Sequence, residues 1–362
     1  MKLIHCSDVH LDSRMETHLT PEQARERRNE LIMTFCAIIR YAVDNGVRAV
    51  IIAGDLFDTD CVRPATVSTV LDAMEQAPDV DFLYLRGNHD ESRRAFAGRT
   101  LPPNLKTFSD SWTCYDYGRV TVAGVELNRE NYEQIYLDLP LMLKPRRVNI
   151  VTMHGTISGK ARPEEIYLSA LRDKPIRYLA LGHFHDFRKE PLNDNGGEYC
   201  YSGCPEGRGF DECGEKGFVL LDIDEKSLYM QTQFIPCARR RLYDIPVNIS
   251  GMETVAQMNR AMLRACEGIS PDSLVRFTLR GDSTLDTQKD TRMLLQMVQD
   301  QFYFVDIKDK SRLAVTPEMY RYDVSLKGIF IQMVLASKYP PEDQEKMIRW
   351  GIQALRGEDI DV

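Results

Sequence analysis

Val47-Arg48-Ala49-Val50-Ile51-Ile52-Ala53-Gly54-Asp55-Leu56-Phe57-Asp58 is an apolar run that ends on a glycine and an acid. A continuous run of Val, Ile and Ala at this length, without polar alternation, reads as a strand buried on both faces. The same arrangement recurs on either side of it. Lys2 to Cys6 leads into Ser7-Asp8-Val9-His10, and Asp81 to Leu85 leads into Gly87-Asn88-His89-Asp90. Val148 to Met153 leads into His154-Gly155, and Arg177 to Leu181 leads into Gly182-His183-Phe184-His185. Helical stretches separate the first three runs. One covers Pro21 to Asp44, with Thr20 as N-cap, Pro21 as first residue and Asn45-Gly46 as its stop; the other covers Pro64 to Glu75. Gly217 to Ile223 reads as a further strand. Strands alternating with helices predict an α/β layered domain. Ligands of such sheets sit beyond the carboxyl ends of the strands, where all five polar motifs fall.

The pattern changes near Phe234 to Arg241. Leu242 to Ile249, Leu274 to Leu279 and Tyr303 to Ile307 read as strands, and Glu253 to Cys266 and Thr291 to Phe302 as helices. Two more helices are expected over Val324 to Ser337 and Pro341 to Leu355. The expected divisions are 1–236, a small α/β domain over 237–323, and a helical segment over 324–362.

The 362 residues are 43% hydrophobic and 28% charged, as in an ordinary globular protein. With 46 basic against 54 acidic residues, the net charge is −8. A chain that binds nucleic acid by overall charge would be basic, so any grip on a phosphate backbone must be local. Nine cysteines, without a C-x-x-C pair, read as reduced thiols. Cys200, Cys204 and Cys213 lack a fourth ligand at zinc-finger spacing. No run of 18 apolar residues is present, so no membrane span is expected. The N-terminus enters a strand without the shape of a signal peptide, which makes the cytoplasm the expected location.

The motifs carry a metal chemistry. In Asp8-x-His10 a carboxylate and an imidazole two residues apart on an extended chain would point to one side and grip one cation. His183-x-His185 has the same spacing. Asp55, after a glycine at a strand end, can bridge two metals; Asn88 offers an amide oxygen and His154 another imidazole. Mixed oxygen and nitrogen donors suit manganese, iron or zinc better than calcium. Two such ions about 3.5–4 Å apart clamp the attacking and leaving oxygens of a phosphoryl transfer and supply hydroxide at neutral pH. Five of the seven histidines lie in these motifs; His5 and His18 do not.

Asp8-x-His10, Gly54-Asp55-x-x-Asp58, Gly87-Asn88-His89-Asp90, His154 and Gly182-His183-x-His185 resemble the calcineurin-like metallophosphoesterase signature. The resemblance implies a four-layer α/β/β/α sandwich of two mixed sheets flanked by helices. It implies one ion held by Asp8, His10, Asp55 and His185. A second would be held by Asp55, Asn88, His154 and His183. His89 becomes the catalytic histidine that is not a ligand, with Asp58 and Asp90 orienting its surroundings.

Ala53-Gly54-Asp55-Leu56-Phe57-Asp58, together with Tyr201 to Glu212 and Gly214 to Gly217, is similar to the SbcD-like DNA repair nucleases, and the small α/β domain resembles that family's capping domain. Cys204 departs from the small hydroxyl residue usual there. The resemblance implies manganese-dependent hydrolysis of DNA phosphodiesters by an exonuclease, with single-strand endonuclease activity as a further expectation. Arg93, Arg94, Arg99 and Arg208 are candidate phosphate contacts, and Arg239, Arg240 and Arg241 lie at the domain junction. The resemblance also implies an SbcC-like coiled-coil ATPase as partner. The C-terminal helices, with Ile329, Phe330, Met333, Val334, Met347, Ile348, Trp350, Ile352 and Leu355, would dock it or pack on the small α/β domain. It further implies a homodimer, for which Leu31 to Tyr41 can serve. Two other classes compete: a phosphatase or cyclic-nucleotide phosphodiesterase with the same metal site, and a non-catalytic scaffold, which would have lost ligands.

Overall fold

In the computed structural model, which describes residues 1–15, 19–58, 62–89, 96, 98–284, 287–314 and 320–356, the run Val47–Ala53 is a central strand. Only Arg48 of its seven residues reaches solvent. The chain divides into two units, Met1–Arg241 and Leu242–Val362.

The strands of the first unit are β1 (Lys2–Cys6), β2 (Val47–Ala53), β3 (Asp81–Leu85), β4 (Leu105–Thr107), β5 (Thr113–Tyr117), β6 (Val120–Gly124), β7 (Val148–His154), β8 (Thr156–Ser158), β9 (Glu165–Tyr167), β10 (Tyr178–Gly182), β11 (Arg188–Pro191), β12 (Glu198–Tyr201), β13 (Gly217–Asp224) and β14 (Tyr229–Pro236). Its helices are α1 (Pro21–Asp44), α2 (Pro64–Glu75), α3 (Gln134–Met142) and the short α4 (Ser169–Arg172). They build two six-stranded sheets, ordered β14-β13-β1-β2-β3-β4 and β11-β12-β10-β7-β6-β5. Strands β1 to β4 run parallel, with β13 and β14 antiparallel at one edge. In the second sheet β6, β7, β10 and β12 are parallel, and β5 and β11 are antiparallel edges.

Alternation along the strands decides the layers, because successive side chains leave opposite faces. Ile4, Val50, Ile52, Phe82 and Tyr84 pack under α1 and α2. Leu3, Ala49, Ile51 and Leu83 point the other way, onto Val120, Val122, Ile150 and Ala180 of the second sheet. Val151, Met153, Leu179 and Leu181 line that sheet's far face with Ile135, Leu139 and Leu171. The order is therefore helix, sheet, sheet, helix. Each fully buried Leu, Ile or Phe adds about 1.5–3 kcal/mol, so these clusters dominate the stability of the unit.

Helix α1 starts at a capping box in which Thr20 and Gln23 bond each other's backbone. Asn45 Nδ2 donates to Tyr41 O at its end, and Gly46 takes a φ of +63°. Of Leu31 to Tyr41, residues Leu31, Phe35, Ile38 and Ile39 face the sheet, while Met33 is exposed. The same helix buries charge. Arg27, fully buried, donates from Nη1 to Glu206 Oε1 at 3.0 Å and from Nη2 to Gly207 O at 2.6 Å, and it pairs with Glu30. Thr34 Oγ1 and the amides of Arg239 and Arg240 complete the shell of Glu206. Removing the guanidinium leaves the buried Glu206 without its cation and Glu30 with Arg240 alone. Arg27→Met is expected to cost about 3–5 kcal/mol, or about 6–20 °C in thermal melting. Restoration by Arg27→Met/Glu206→Gln is expected; a single variant melting like wild type would refute the account.

The second unit carries a parallel sheet of Leu242–Asn248, Leu274–Arg280 and Phe304–Asp309. Helices Val255–Ala265 and Thr291–Val298 cover it through Met258, Met262, Leu294 and Val298 on Phe277 and Leu279. Helices Leu326–Leu335 and Pro341–Arg356 follow, joined by Ile331, Val334, Ile348 and Ile352. Ile329, Met333 and Leu355 stay exposed. No helix among the described residues is long and apolar enough to cross a membrane.

Candidate metal centre

Five strands deliver the polar motifs to one place. Asp8 lies two residues beyond β1, Asp55 two beyond β2 and Asn88 three beyond β3. His154 ends β7, and His183 and His185 follow β10. The first three come from one sheet and the last three from the other, so the site lies where the carboxyl ends of both sheets meet. The extended-chain argument for Asp8 and His10 is overturned. Both have left-handed backbone, with φ of 53° and 47°, as do Asp55 at 53° and, less regularly, His183 at 110°. Non-glycine residues adopt this region at a cost of about 1–2 kcal/mol, and such strain concentrates at functional sites. Here hydrogen bonds hold it. Asp8 N donates to Gly54 O and His10 N to Asp55 O, each at 3.0 Å. His183 N donates to Asp8 Oδ1 at 2.9 Å, and His89 N to Asp55 Oδ1 at 2.9 Å.

Two glycines make the approach possible. A Cβ on Gly87 would lie 2.1 Å from Asp55 Oδ1. One on Gly54, whose φ is +94°, would lie 2.1 Å from His154 Nδ1.

Asp55 lies between imidazoles on two sides. Asp55 Oδ2 is 3.7 Å from His10 Nε2 and 3.4 Å from His154 Nε2. On the first side, His10 Nε2 and His185 Nε2 are 3.3 Å apart, with Asp8 Oδ1 3.8 Å from His185 Nε2. On the second side, Asn88 Oδ1 is 3.0 Å from His154 Nε2 and 3.3 Å from His183 Nδ1. Asp8 with His10 and His185, and Asp8 with Asp55 and His154, are close enough to hold a cation. His10 Nδ1 is buried without a hydrogen-bond partner among the described residues.

Burial and mutual charge shift these groups in opposite directions. Burial pushes the Asp55 carboxyl up, but the His154 hydrogen bond and the charges of His154 and His10 hold it well below the carboxylate range. Burial lowers His154, yet Asp55 and Asp8 prevail and push it up to about 9. Burial, with the Arg208 charge, pushes His10 down to about 2.

His89 lies on the outer side of His10, and these two with Asp58 form a third group close enough to hold a cation. The His89 side chain is 46% exposed, its Nδ1 is 3.8 Å from Asp58 Oδ1, and its ring meets that of His10 edge-on at 4.8 Å. A cavity of about 610 Å³ opens beside Asn88, His154 and His183, with the ion pair Arg86–Glu126 in its wall.

Asp90, Arg93 and Arg94 lie outside the described residues. Arg208 reaches the centre, but its guanidinium is shared: Nε and Nη2 donate to Glu212 Oε1 at 3.1 and 2.6 Å. Arg99 donates to Ser68 Oγ and Pro64 O, at the start of α2. Arg240 pairs with Glu26 and Glu30, Arg241 pairs with Glu215, and the Arg239 amide serves Glu206.

Sequence reasoning missed three supporting groups. Glu212 Oε1 sits 2.7 Å from His185 Nδ1. The buried Lys216 donates to His185 O at 2.8 Å and pairs with Asp186. Ser7 Oγ donates to Asp8 Oδ2 and lies 2.8 Å from Ser202 Oγ. Glu212 and Lys216 belong to the segment after the last histidine pair whose pattern stood out, but the partners of a loop acid or lysine are not written in its neighbours.

Comparison with known proteins gives two kinds of likeness. The sequence model described as calcineurin-like phosphoesterase matches residues 1–187. The DNA double-strand break repair protein Mre11 of Methanosarcina acetivorans is 24% identical over 300 residues, covering 78% of this chain and 46% of that protein. The chain thus spans about half the length of that relative. The Mre11 of Saccharolobus solfataricus is 24% identical over 382 residues, covering 99% of this chain and 96% of that protein. Among solved structures, a dimetal phosphatase from Danio rerio is 16% identical with a TM-score of 0.43, covering 65% of this chain and 96% of its own.

Proposed function

Because the chain belongs to the calcineurin-like phosphoesterase family, we propose that this phosphoester hydrolase cleaves DNA phosphodiesters, as an exonuclease, at a centre of two divalent cations. The observation that carries this reading is Asp55 Oδ2, which lies within 3.7 Å of imidazole nitrogens on both sides of the centre. In this reading Asp8, His10, Asp55 and His185 hold one ion, and Asp55, Asn88, His154 and His183 hold the other. Manganese is the proposed ion, on the oxygen and nitrogen donor set. When bound, such ions neutralise charge on phosphoryl oxygens and lower the pKa of water.

The protein's own groups do the rest. The left-handed turns at Asp8, His10 and Asp55 preset the donor positions, so no reorganisation is needed when substrate arrives. His89, exposed beside the donors, meets the phosphate oxygens or protonates the leaving oxygen. Asp58 faces His89 Nδ1 at 3.8 Å, placed to orient the ring. Arg93 and Arg94 are proposed phosphate contacts from their place after the Asn88-His89 motif.

Support for DNA as substrate comes from relatives named for DNA double-strand break repair. An SbcC-like ATPase partner and a second copy of the chain belong to the same proposal. The exposed Ile329, Met333 and Leu355 support a partner surface on the C-terminal helices.

The test sets end-labelled single- and double-stranded DNA beside p-nitrophenyl phosphate, cyclic nucleotides and mononucleotides, with manganese. Shortening of labelled DNA, abolished by a chelator and restored by manganese, is expected. DNA left intact while cyclic or mononucleotides are consumed would replace this reading with a small-substrate phosphodiesterase or phosphatase.

A further inference from the structure

The loop between β12 and β13 holds Glu212, whose carboxylate is 3% exposed. Its Oε1 lies 2.7 Å from His185 Nδ1. Arg208 holds the same carboxylate, with its backbone amide 2.7 Å from Oε2 and its Nη2 2.6 Å from Oε1; that Nη2 also lies 3.2 Å from His185 Nδ1. With Nδ1–H donating to Glu212, the lone pair of His185 is on Nε2. That nitrogen faces His10 Nε2 at 3.3 Å and Asp8 Oδ1 at 3.8 Å.

The other imidazoles are backed differently. His154 Nδ1 donates to the carbonyl of Ala53 at 2.9 Å. His183 Nδ1 is turned to Asn88 Oδ1, and His10 Nδ1 has no hydrogen-bond partner among the described residues. Among the described residues, His185 alone of these has a carboxylate on the nitrogen turned away from the centre.

We infer that Glu212 is a positioning residue for one of the two cations: it fixes the ring and tautomer of His185 and strengthens it as a ligand for the ion held with Asp8, His10 and Asp55. This rests on the dinuclear reading given above. A carboxylate behind a metal-binding imidazole orients the ring and raises its basicity. Glu212 cannot itself reach that ion, because its oxygen occupies the far side of the same ring. Arg208 neutralises the buried charge and keeps the carboxylate on His185. Arg27, through Gly207 O, anchors the loop that carries both.

The alternative is a purely structural Arg208–Glu212 ion pair, and metal affinity separates the two. Manganese is titrated into the full-length chain by calorimetry, with free ion counted by electron paramagnetic resonance. Melting of the metal-free protein is recorded alongside. Glu212→Gln is expected to weaken one manganese site by about 10–100-fold and to leave the second unchanged. Should Arg208, left unpaired, destabilise this variant, Arg208→Met/Glu212→Gln removes both charges and is expected to show the same one-site loss. Two sites of wild-type affinity in either variant overturn the inference. Equal weakening of both sites with a lowered metal-free melting temperature also overturns it, in favour of the structural ion pair. A wild-type chain that takes up no manganese overturns the dinuclear reading and this inference with it; two intact sites in wild type and variant overturn this inference alone.

Discussion

Asp55→Ala is expected to lose both cations together and to fall in activity by about 10³-fold or more, since each ion supplies several kcal/mol of charge stabilisation. The reason is positional. Oδ2 of Asp55 approaches His10 on one side and His154 on the other, at 3.7 and 3.4 Å. Its Oδ1 meanwhile receives the amide of His89. One truncation therefore removes a donor from both ions and unties the loop carrying Asn88 and His89. Asn88→Ala, by contrast, strips one side and is expected to weaken one ion. Elemental analysis of purified variants, read with rates on labelled DNA, checks both. Equal two-metal content in Asp55→Ala would refute the bridging role. Alanine at a φ of 53° also carries strain. Asp55→Asn is the control, because asparagine tolerates the left-handed region.

His89→Ala is expected to lower kcat on DNA by about 10²–10⁴-fold, the range for loss of a positioned acid or base, with metal content unchanged. The imidazole is half-exposed, and His89 binds Asp55 through its backbone amide, which truncation of the ring leaves in place. The defect should shrink on p-nitrophenyl esters, whose leaving group needs no proton. An undiminished defect on such esters would shift His89 from proton donor to stabiliser of phosphate charge. Loss of metal in the same variant would show that it acts through the centre's structure.

The sequence made the parallel core legible because β2, β3, β7 and β10 are buried on both faces and so carry no polar alternation. It made the donors legible because each follows such a run within a few residues. It was less informative about the second sheet's edges. β5 (Thr113–Tyr117) joins β6 through Gly118 at a φ of +61°, and its half-exposed, mixed residues have no strong period. β11 (Arg188–Pro191) is almost wholly polar and becomes a strand only because β12 offers it a partner. The site showed the same division. Donor identities were readable, but the left-handed turns that aim them were not, since Asp and His do not announce a positive φ. Arg27, Glu30 and Thr34 recur at the i, i+3, i+7 spacing of a buried helix face. That spacing is a signal, yet polar residues at such positions read as solvent-facing until Glu206 comes into view.

Ser202–Gly207 has no helix or strand, and loops of that kind usually open at little cost. This one is fastened at both ends to the interior: Ser202 to Ser7 beside the first strand, Glu206 and Gly207 to Arg27 within the longest helix. To swing outward it must strand buried charges, so its opening free energy approaches that of the whole first unit. The irregular segment behind His185 thus belongs to the same cooperative block as the sheets. Slow amide exchange there would reflect the fold itself, not the presence of a ligand.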